Sequence, residues 1–468
     1  MKLLFLILAA LAATAEPLRL HPENPHYFLF RGKPTVLITS GEHYGAVLNR
    51  RFNFRAYLDT LAADNLNLTR AFTGLYREVP RESFGITGNT LAPEESDFVQ
   101  PFRRTGQQKY DLSQWNEEYF RRWRDFVFYA GQRGVVVEVT LFTTYYNDRH
   151  WGTSPLNAAN NAQGVGMVKS DEVLTLKEPA LVEVQERFVR KLVTELRDFD
   201  NVYYEICNEP YFHGVTEEWQ RRIASVIADT EEPWPEHHLI SRNIANGAAE
   251  VRNPGTAISI FNFHYARPPD AVGMNYGLNR PIGMNETGFD GTADSPYRIQ
   301  AWDFVLAGGA LYNNLDYSFT VGHEDGTFAY PGSQPGGGSV RLRHQLKLLR
   351  QFIERIPFIA MSPDSKLLTP SLPDEVSARA LSDGRSVWAV YIHGGRVLKD
   401  YSPQYAVYSK KHTTALQFEL PAGTYEVQWW HPRDNIISKP ELVRHDGGTG
   451  TLQSPEYSED LALTVRKR

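Results

Sequence analysis

Two Asn-Glu pairs lie where a carboxylate is least expected. "VYYEICNEPYFHG" (202–214) runs apolar residues into Asn208-Glu209 and then a proline. "RPIGMNETGFDG" (280–291) repeats that order and ends an apolar run in Asn285-Glu286. A carboxyl group at the end of a buried strand is costly unless it has a partner or a role. Two such groups brought face to face can cleave an acetal. One carboxylic acid protonates the leaving oxygen while one carboxylate attacks the carbon. A separation of about 5–5.5 Å suits double displacement, and ~6.5–9.5 Å leaves room for a water and a single displacement.

The elements around the two pairs must position them. Strand-like runs at 35–41, 66–72, 135–142, 202–208, 238–243, 257–264, 281–286 and 310–317 are mostly separated by helical stretches at 54–65, 112–134, 179–198, 216–229, 295–307 and 339–355. In the helix 112–134, Trp115, Tyr119, Trp123 and Val127 recur every four residues and Ser113 is the expected N-cap. Strands alternating with helices imply a parallel sheet, and eight such units are the count of a (β/α)8 TIM barrel. An open doubly wound sheet would also alternate, but the nearest thing here to its dinucleotide fingerprint is weak. "GVGMVK" (164–169) lacks both the third glycine and the preceding strand. In the run 202–209, strict alternation turns Val202, Tyr204 and Ile206 outward and Glu205, Cys207 and Glu209 inward. Glu209 and Glu286 then end the fourth and seventh strands, at the barrel face where such enzymes work. A hairpin around Gly32-Lys33 is expected to cap the opposite end.

Three domains of sequence follow. Residues 1–15, MKLLFLILAALAATA, read as an export signal cut after Ala13-Thr14-Ala15, so the mature chain is expected to be secreted or periplasmic. Residues 16–362 hold the barrel. Residues 363–468 turn to short alternating strands with Gly and Pro turns, a small all-β sandwich. The net charge of -6 argues against a nucleic-acid partner, which usually meets a basic surface. The lone cysteine, Cys207, excludes an intrachain disulfide and reads as a small core hydrophobe. There is no HExxH helix, no G-x-S-x-G elbow and no P-loop.

Asn-Glu-Pro ending strand four with a second Glu ending strand seven resembles the clan A glycoside hydrolases, retaining (β/α)8 enzymes that include the family 5 cellulase-like group. The resemblance spans about residues 16–360 and implies a carbohydrate substrate, with Glu209 as acid/base, Glu286 as nucleophile and Asn208 on the sugar 2-hydroxyl. Arg70 ends strand two, where the family has an arginine near the nucleophile. Physically, a cation there keeps Glu286 ionised. His264-Tyr265 end strand six, where the family often shows His-x-Tyr. Being adjacent, only one of them can point inward in regular strand geometry. Tyr312 and Tyr317 stand where strand eight usually offers a Trp. Glu42 and His43 after strand one, and Trp151 with Tyr145 and Tyr146 after strand three, are further candidates for sugar hydroxyls and sugar faces. "GTYEVQWWHPRDNII" (423–437) resembles a C-terminal sandwich, labelled collagen-binding, found behind such barrels. Strand alternation sends one of Trp429 and Trp430 into the core, which favours a packing module docked on the barrel. The chemistry requires no metal or cofactor. A catalytically silent carbohydrate-binding protein or a transglycosylase on the same fold are the alternatives. The sugar, the linkage, exo or endo action and the oligomeric state stay open.

Overall fold

The computed structural model describes residues 16–80, 84–106, 109–364, 375–398 and 404–468. The expected export segment, 1–15, lies outside them. Eight strands form one parallel sheet: β1 (Leu37–Gly41), β2 (Leu68–Phe72), β3 (Val136–Thr143), β4 (Val202–Asn208), β5 (Ile240–Asn246), β6 (Ile260–His264), β7 (Ile282–Glu286) and β8 (Leu311–Leu315). Each pairs with the next from β2 to β8, and β8 pairs with β1. The β1–β2 seam is closed by Asn67. Its side chain accepts from the Ile38 N–H at 2.8 Å and donates to the Val36 carbonyl at 3.0 Å. The chain is a (β/α)8 barrel followed by an all-β domain.

Helices α1 (Phe54–Ala63), α2 (Glu117–Gln132), α3 (Pro179–Leu196), α4 (Glu217–Glu231), α5 (Asp270–Asn275), α6 (Asp294–Leu306) and α7 (Val340–Arg355) lie around the sheet. Their spacing of apolar residues explains the packing. α3 buries Leu181, Val184, Phe188, Leu192 and Leu196, one stripe at helical period, and begins on Pro179, whose missing N–H is no loss in a first turn. α2 starts later than its periodicity suggests. Residues Tyr110–Trp115 form a strand paired with Phe102–Arg104, and Ser113 bonds to Asp111 instead of capping the helix. Trp115 stacks on Phe102 at 5.3 Å, so a residue expected on the helix packs as part of that hairpin.

The N-terminal hairpin pairs Phe28–Phe30 with Lys33–Thr35. Its turn falls on Arg31 (φ 49°) and Gly32 (φ 73°), one residue earlier than expected, with both central residues left-handed as a twisted hairpin prefers. Arg31 grips Asp200 at 2.6 and 2.7 Å, just before β4 begins, which sets the hairpin at the N-terminal ends of the strands.

The C-terminal domain holds β9 (Ser377–Ser382), β10 (Val387–His393), β11 (Gly395–Val397), β12 (Tyr405–Val407), β13 (Ala415–Leu420), β14 (Gly423–His431), β15 (Glu441–His445), β16 (Gly448–Gln453) and β17 (Asp460–Lys467). The main sheet runs β9-β10-β17-β14, and β15 adds to β14. One face packs on the β13–β16 pair through Trp388, Leu416, Phe418, Trp429 and Leu463. The other joins the barrel's own core through Tyr391, Trp430 and Ala462. Period-2 alternation thus sends Trp429 into the sandwich and Trp430 onto Phe352 of α7, 5.1 Å ring to ring. α6 is caught between barrel and sheet and is buried all round from Pro296 to Leu306. Its Trp302 stacks on Tyr391, and its Arg298 pairs with Asp460 at 2.9 Å and Glu459 at 2.7 Å. Ending the chain at Met361 would bare Trp302 and leave Arg298 without those carboxylates. The truncated barrel is expected to be insoluble or to melt well below the full chain, as checked by soluble yield and thermal denaturation.

Candidate active site

The C-terminal ends of the strands enclose a cavity of about 870 Å³. The barrel below it is not filled by branched aliphatics alone. A polar layer of Arg70, Glu138, Glu205, Asn262 and Asn285 occupies it, all buried. Arg70 of β2 donates to Glu205 at 2.5 Å, to the Asn208 side-chain oxygen at 2.7 Å and to Glu286 at 3.2 Å. Its guanidinium also lies 4.6 Å from the centre of the Tyr44 ring. Asn285 links the two lower carboxylates, donating to Glu205 at 2.5 Å and to Glu138 at 2.8 Å. Burial raises the Glu205 carboxyl, but Arg70 outweighs it and holds the group below the usual range. Burial and the Glu205 charge push Glu138 well up.

Glu286, the last residue of β7, accepts from three donors and meets an imidazole. Tyr44 gives its hydroxyl at 2.8 Å and Arg70 an N–H at 3.2 Å to one oxygen. Tyr265 gives its hydroxyl at 2.6 Å to the other oxygen, and His264 Nδ1 stands 3.3 Å from it. Burial pushes this carboxyl up, but the His264 and Arg70 charges and the Tyr265 hydrogen bond dominate and hold it far below its ordinary value. Glu209 follows β4 in a left-handed backbone (φ 48°). It accepts from the Tyr146 hydroxyl, from Tyr211 at 3.3 Å, and meets His264 Nδ1 at 3.3 Å. One donor atom each from Glu209, His264 and Glu286 lies within 4.8 Å of the others. Such a trio can in principle ligate a cation. Here Arg70, His264 and two tyrosine hydroxyls already meet Glu286 with positive charge and protons, so the donor set fits a hydrogen-bonded acid pair better.

Burial lowers the His264 pKa, but Glu286 and Glu209 outweigh it and bring it up to about 9. Its folded value exceeds its unfolded value of 6.5. The stability it contributes is therefore fully present below pH 6.5 and is lost as pH rises through about 9. The gap in melting temperature between wild type and His264→Gln is expected to shrink over that window. A gap that stays constant from about pH 6 to about pH 10 contradicts it.

The structure brings most of the expected residues together and turns two away. Asn208 bonds Arg70 and also donates to Tyr146 at 3.2 Å. Glu205 and Asn208 both accept from the same Arg70 nitrogen, although the register of β4 on β3 runs unbroken through them. Cys207 is buried outside the cavity lining, its thiol pushed well up by burial. His264 and Tyr265 both reach Glu286. β6 shifts register between Phe263 and His264, and Tyr265 is left-handed (φ 48°), which frees it from the strand's alternation. His43 lines the cavity and meets Glu78 at 3.0 Å, leaving its Nδ1 without a protein partner. Tyr317 lies buried beside the cavity between His43 and Phe289. Glu42 and Trp151 do not reach the cavity. Glu42 accepts from the Gly45 and Ala46 N–H groups and from the Thr90 hydroxyl, at 2.9, 3.0 and 2.5 Å, and so ties the loop after β1. The Trp151 indole N–H is taken by the Val168 carbonyl at 2.9 Å, with the ring packed on Tyr145.

Sequence reasoning missed Tyr44 as a partner of Glu286, and it did not single out Tyr146. Tyr44, Glu209 and Tyr265 all adopt left-handed backbone, a conformation uncommon outside glycine that gathers at functional sites. Nothing in a tyrosine's neighbours marks it for that conformation. Tyr146 was one of several aromatics after β3, and only its contact with Glu209 separates it from Tyr145.

No family model matches the chain, and no curated protein sequence matches it. Solved structures do. A protein described as a glycoside hydrolase superimposes with a TM-score of 0.63 at 12% identity, covering 97% of both chains. A glycoside hydrolase family 5 protein from Bacteroides vulgatus gives 0.61 at 13% identity, over 96% of this chain and 93% of that one. The endo-1,4-beta-mannanase from Rhizomucor miehei gives 0.51 at 12% identity, over 73% of this chain and all of its own (100%). At such identities the likeness is one of fold: this chain shares the barrel fold of these three proteins, and with two of them the likeness extends across the C-terminal domain as well.

Proposed function

We propose that this protein is a retaining β-glycoside hydrolase that acts outside the cytoplasm. Glu286 attacks the anomeric carbon and forms a glycosyl-enzyme while Glu209 protonates the departing oxygen. Glu209 then takes a proton from water, which releases the sugar with its configuration retained. The observation that carries the reading is the pairing itself. Glu209 and Glu286 present oxygens within 4.8 Å of each other, and Glu286 is surrounded by donors that favour its charged form. Such close approach favours double displacement over a gap that must hold a water. The fold shared with glycoside hydrolases supports the same assignment.

The lining suggests a neutral sugar. Glu78, Glu209 and Glu286 face the cavity, and its one guanidinium among the described residues, Arg267, is held by Asp290 at 2.7 Å. A uronic acid would meet repulsion there. Tyr76, Phe84, Tyr146 and Phe212 form an aromatic wall for the C–H faces of pyranose rings. β-1,4-linked mannan and glucan are the polysaccharides to assay first.

The test is a pH–rate profile with proton NMR of the first-formed anomer. Wild type is expected to give a bell-shaped profile and β product from β substrate. Glu209→Gln is expected to lose the basic limb and to slow substrates with poor leaving groups by roughly 10²–10⁴-fold. A basic limb that survives in Glu209→Gln, or an inverted product, removes the assignment.

A further inference from the structure

The loop that carries Glu209 also carries Phe212 and His213 into the cavity, and Asn246 at the end of β5 lines it beside them. This loop is held in a conformation its residues disfavour. Glu209 (φ 48°) and His213 (φ 50°) are left-handed. Gly214 (φ 82°) has no room for a side chain, since a Cβ there would lie 2.1 Å from the Asp171 carbonyl oxygen. The segment after β3 supplies the clamp. Thr144 donates its hydroxyl to the Phe212 carbonyl at 3.2 Å, and Ser170 meets His213 Nε2 at 2.9 Å. A serine hydroxyl has one proton, and Ser170 gives its own to Asp148 at 2.6 Å. His213 Nε2 is therefore the donor in its bond with Ser170, which leaves Nδ1 as the acceptor of a neutral ring.

Three complementary groups meet here. Phe212 is 42% exposed and its ring lies 4.9 Å from Tyr211 and 6.4 Å from Tyr146, the tyrosine that donates to Glu209. Apolar surface left open inside a cavity is available to the C–H face of a pyranose. Asn246 accepts the Tyr211 hydroxyl at 2.5 Å through Oδ1, which assigns that oxygen to the protein and leaves the amide N–H groups for a ligand. An apolar face, an acceptor at His213 Nδ1 and a donor at Asn246 are what a neutral sugar unit requires. Glu209 fixes which unit it is. The group that protonates the departing oxygen stands on the side of the leaving group. Phe212 and His213 lie on its own loop, and Tyr211 ties Asn246 to that loop and to Glu209.

Resting on the hydrolase reading, we propose that Phe212, His213 and Asn246 form the subsite of the departing sugar unit, which also receives a sugar acceptor before the glycosyl-enzyme meets water. The test measures how the glycosyl-enzyme partitions. The β-fluorides of the β-1,4-linked disaccharides of glucose and of mannose serve as donors, because fluoride is too small to fill the subsite, and the free disaccharides serve as acceptors. In transfer the acceptor oxygen bonds the anomeric carbon, the bond to Glu286 breaks and the hydroxyl proton goes to Glu209. Water and sugar use the same base, so the ratio of transfer to hydrolysis reads the subsite and not Glu209. Phe212, His213 and Asn246 are exposed, and their alanine variants are expected to melt as wild type does. Each variant is expected to raise the acceptor concentration at half-maximal transfer roughly five- to tenfold. An unchanged value in all three, or no transfer by wild type at any acceptor concentration, overturns the subsite and leaves the hydrolase standing. Fluorides left intact by wild type, or still cleaved by Glu286→Ala, overturn the hydrolase reading itself.

Discussion

Glu286→Ala is expected to lower kcat on an aryl β-glycoside by about five orders of magnitude while the protein still folds. In the proposed double displacement the nucleophile is the one group whose loss removes the covalent intermediate altogether. Everything around it is arranged to keep it charged: two hydroxyls, a guanidinium and an imidazolium meet its two oxygens. Alanine opens a space where a small anion can sit against Arg70 and His264. Added azide is therefore expected to restore turnover of an activated substrate and to leave an α-glycosyl azide, because the anion attacks from the face that Glu286 has vacated. A β-glycosyl azide, or restoration in Glu209→Ala but not in Glu286→Ala, would exchange the roles of the two carboxylates. A variant as active as wild type would end the two-carboxylate mechanism.

Arg70→Met is expected to be the most destabilising single change in the site, by about 3–5 kcal/mol, the usual cost of stripping one partner from a buried ionic network. Methionine fills much of the volume but leaves Glu205 and Glu286 without the cation that each meets directly. Glu286 is held below its unfolded value of 4.5, so its share of the stability is present above that pH and lost as pH falls through the folded value. Removing Arg70 raises the Glu286 pKa. The acidic limb of the kcat profile is thus expected to move to higher pH, with kcat itself falling roughly a hundredfold or more. Arg70→Lys keeps the charge but cannot serve Glu205, Asn208 and Glu286 at once with a planar fork, so only partial recovery is expected. Thermal denaturation and the pH–rate profile read the two effects separately. A melting temperature and an acidic limb both unchanged in Arg70→Met would mean that the network does not hold Glu286.

Much of the fold was legible in the chain because its signals are local. Apolar runs of five to eight residues, closed by polar pairs, mark strands wherever they lie, and the stripe from Leu181 to Leu196 marks a helix facing them. The helix boundary at 112–117 was misjudged for a non-local reason: Tyr110–Trp115 is drawn into a strand by Phe102–Arg104, and periodicity cannot see a pairing partner. At the site, Arg70, Asn208, Glu209, His264 and Glu286 were legible because each sits on or next to a strand end, where residue type and position speak together. Glu42 satisfied the same rule and yet serves its own loop, with three donors within hydrogen-bond reach that only the folded turn supplies.

The sequence by itself determined the alternating architecture, the two Asn-Glu strand ends and a C-terminal domain built from short alternating strands. Periodicity of 2 and of 3.6 is a property of neighbours along the chain and needs no tertiary information. Only the tertiary structure decided which side chains meet. Tyr44 reaches Glu286 across 242 residues, and Arg70 reaches it across 216, distances in sequence over which no local pattern acts. Left-handed backbone at Tyr44, Glu209 and Tyr265 aims those side chains, and the surrounding packing holds a conformation that their own preferences disfavour.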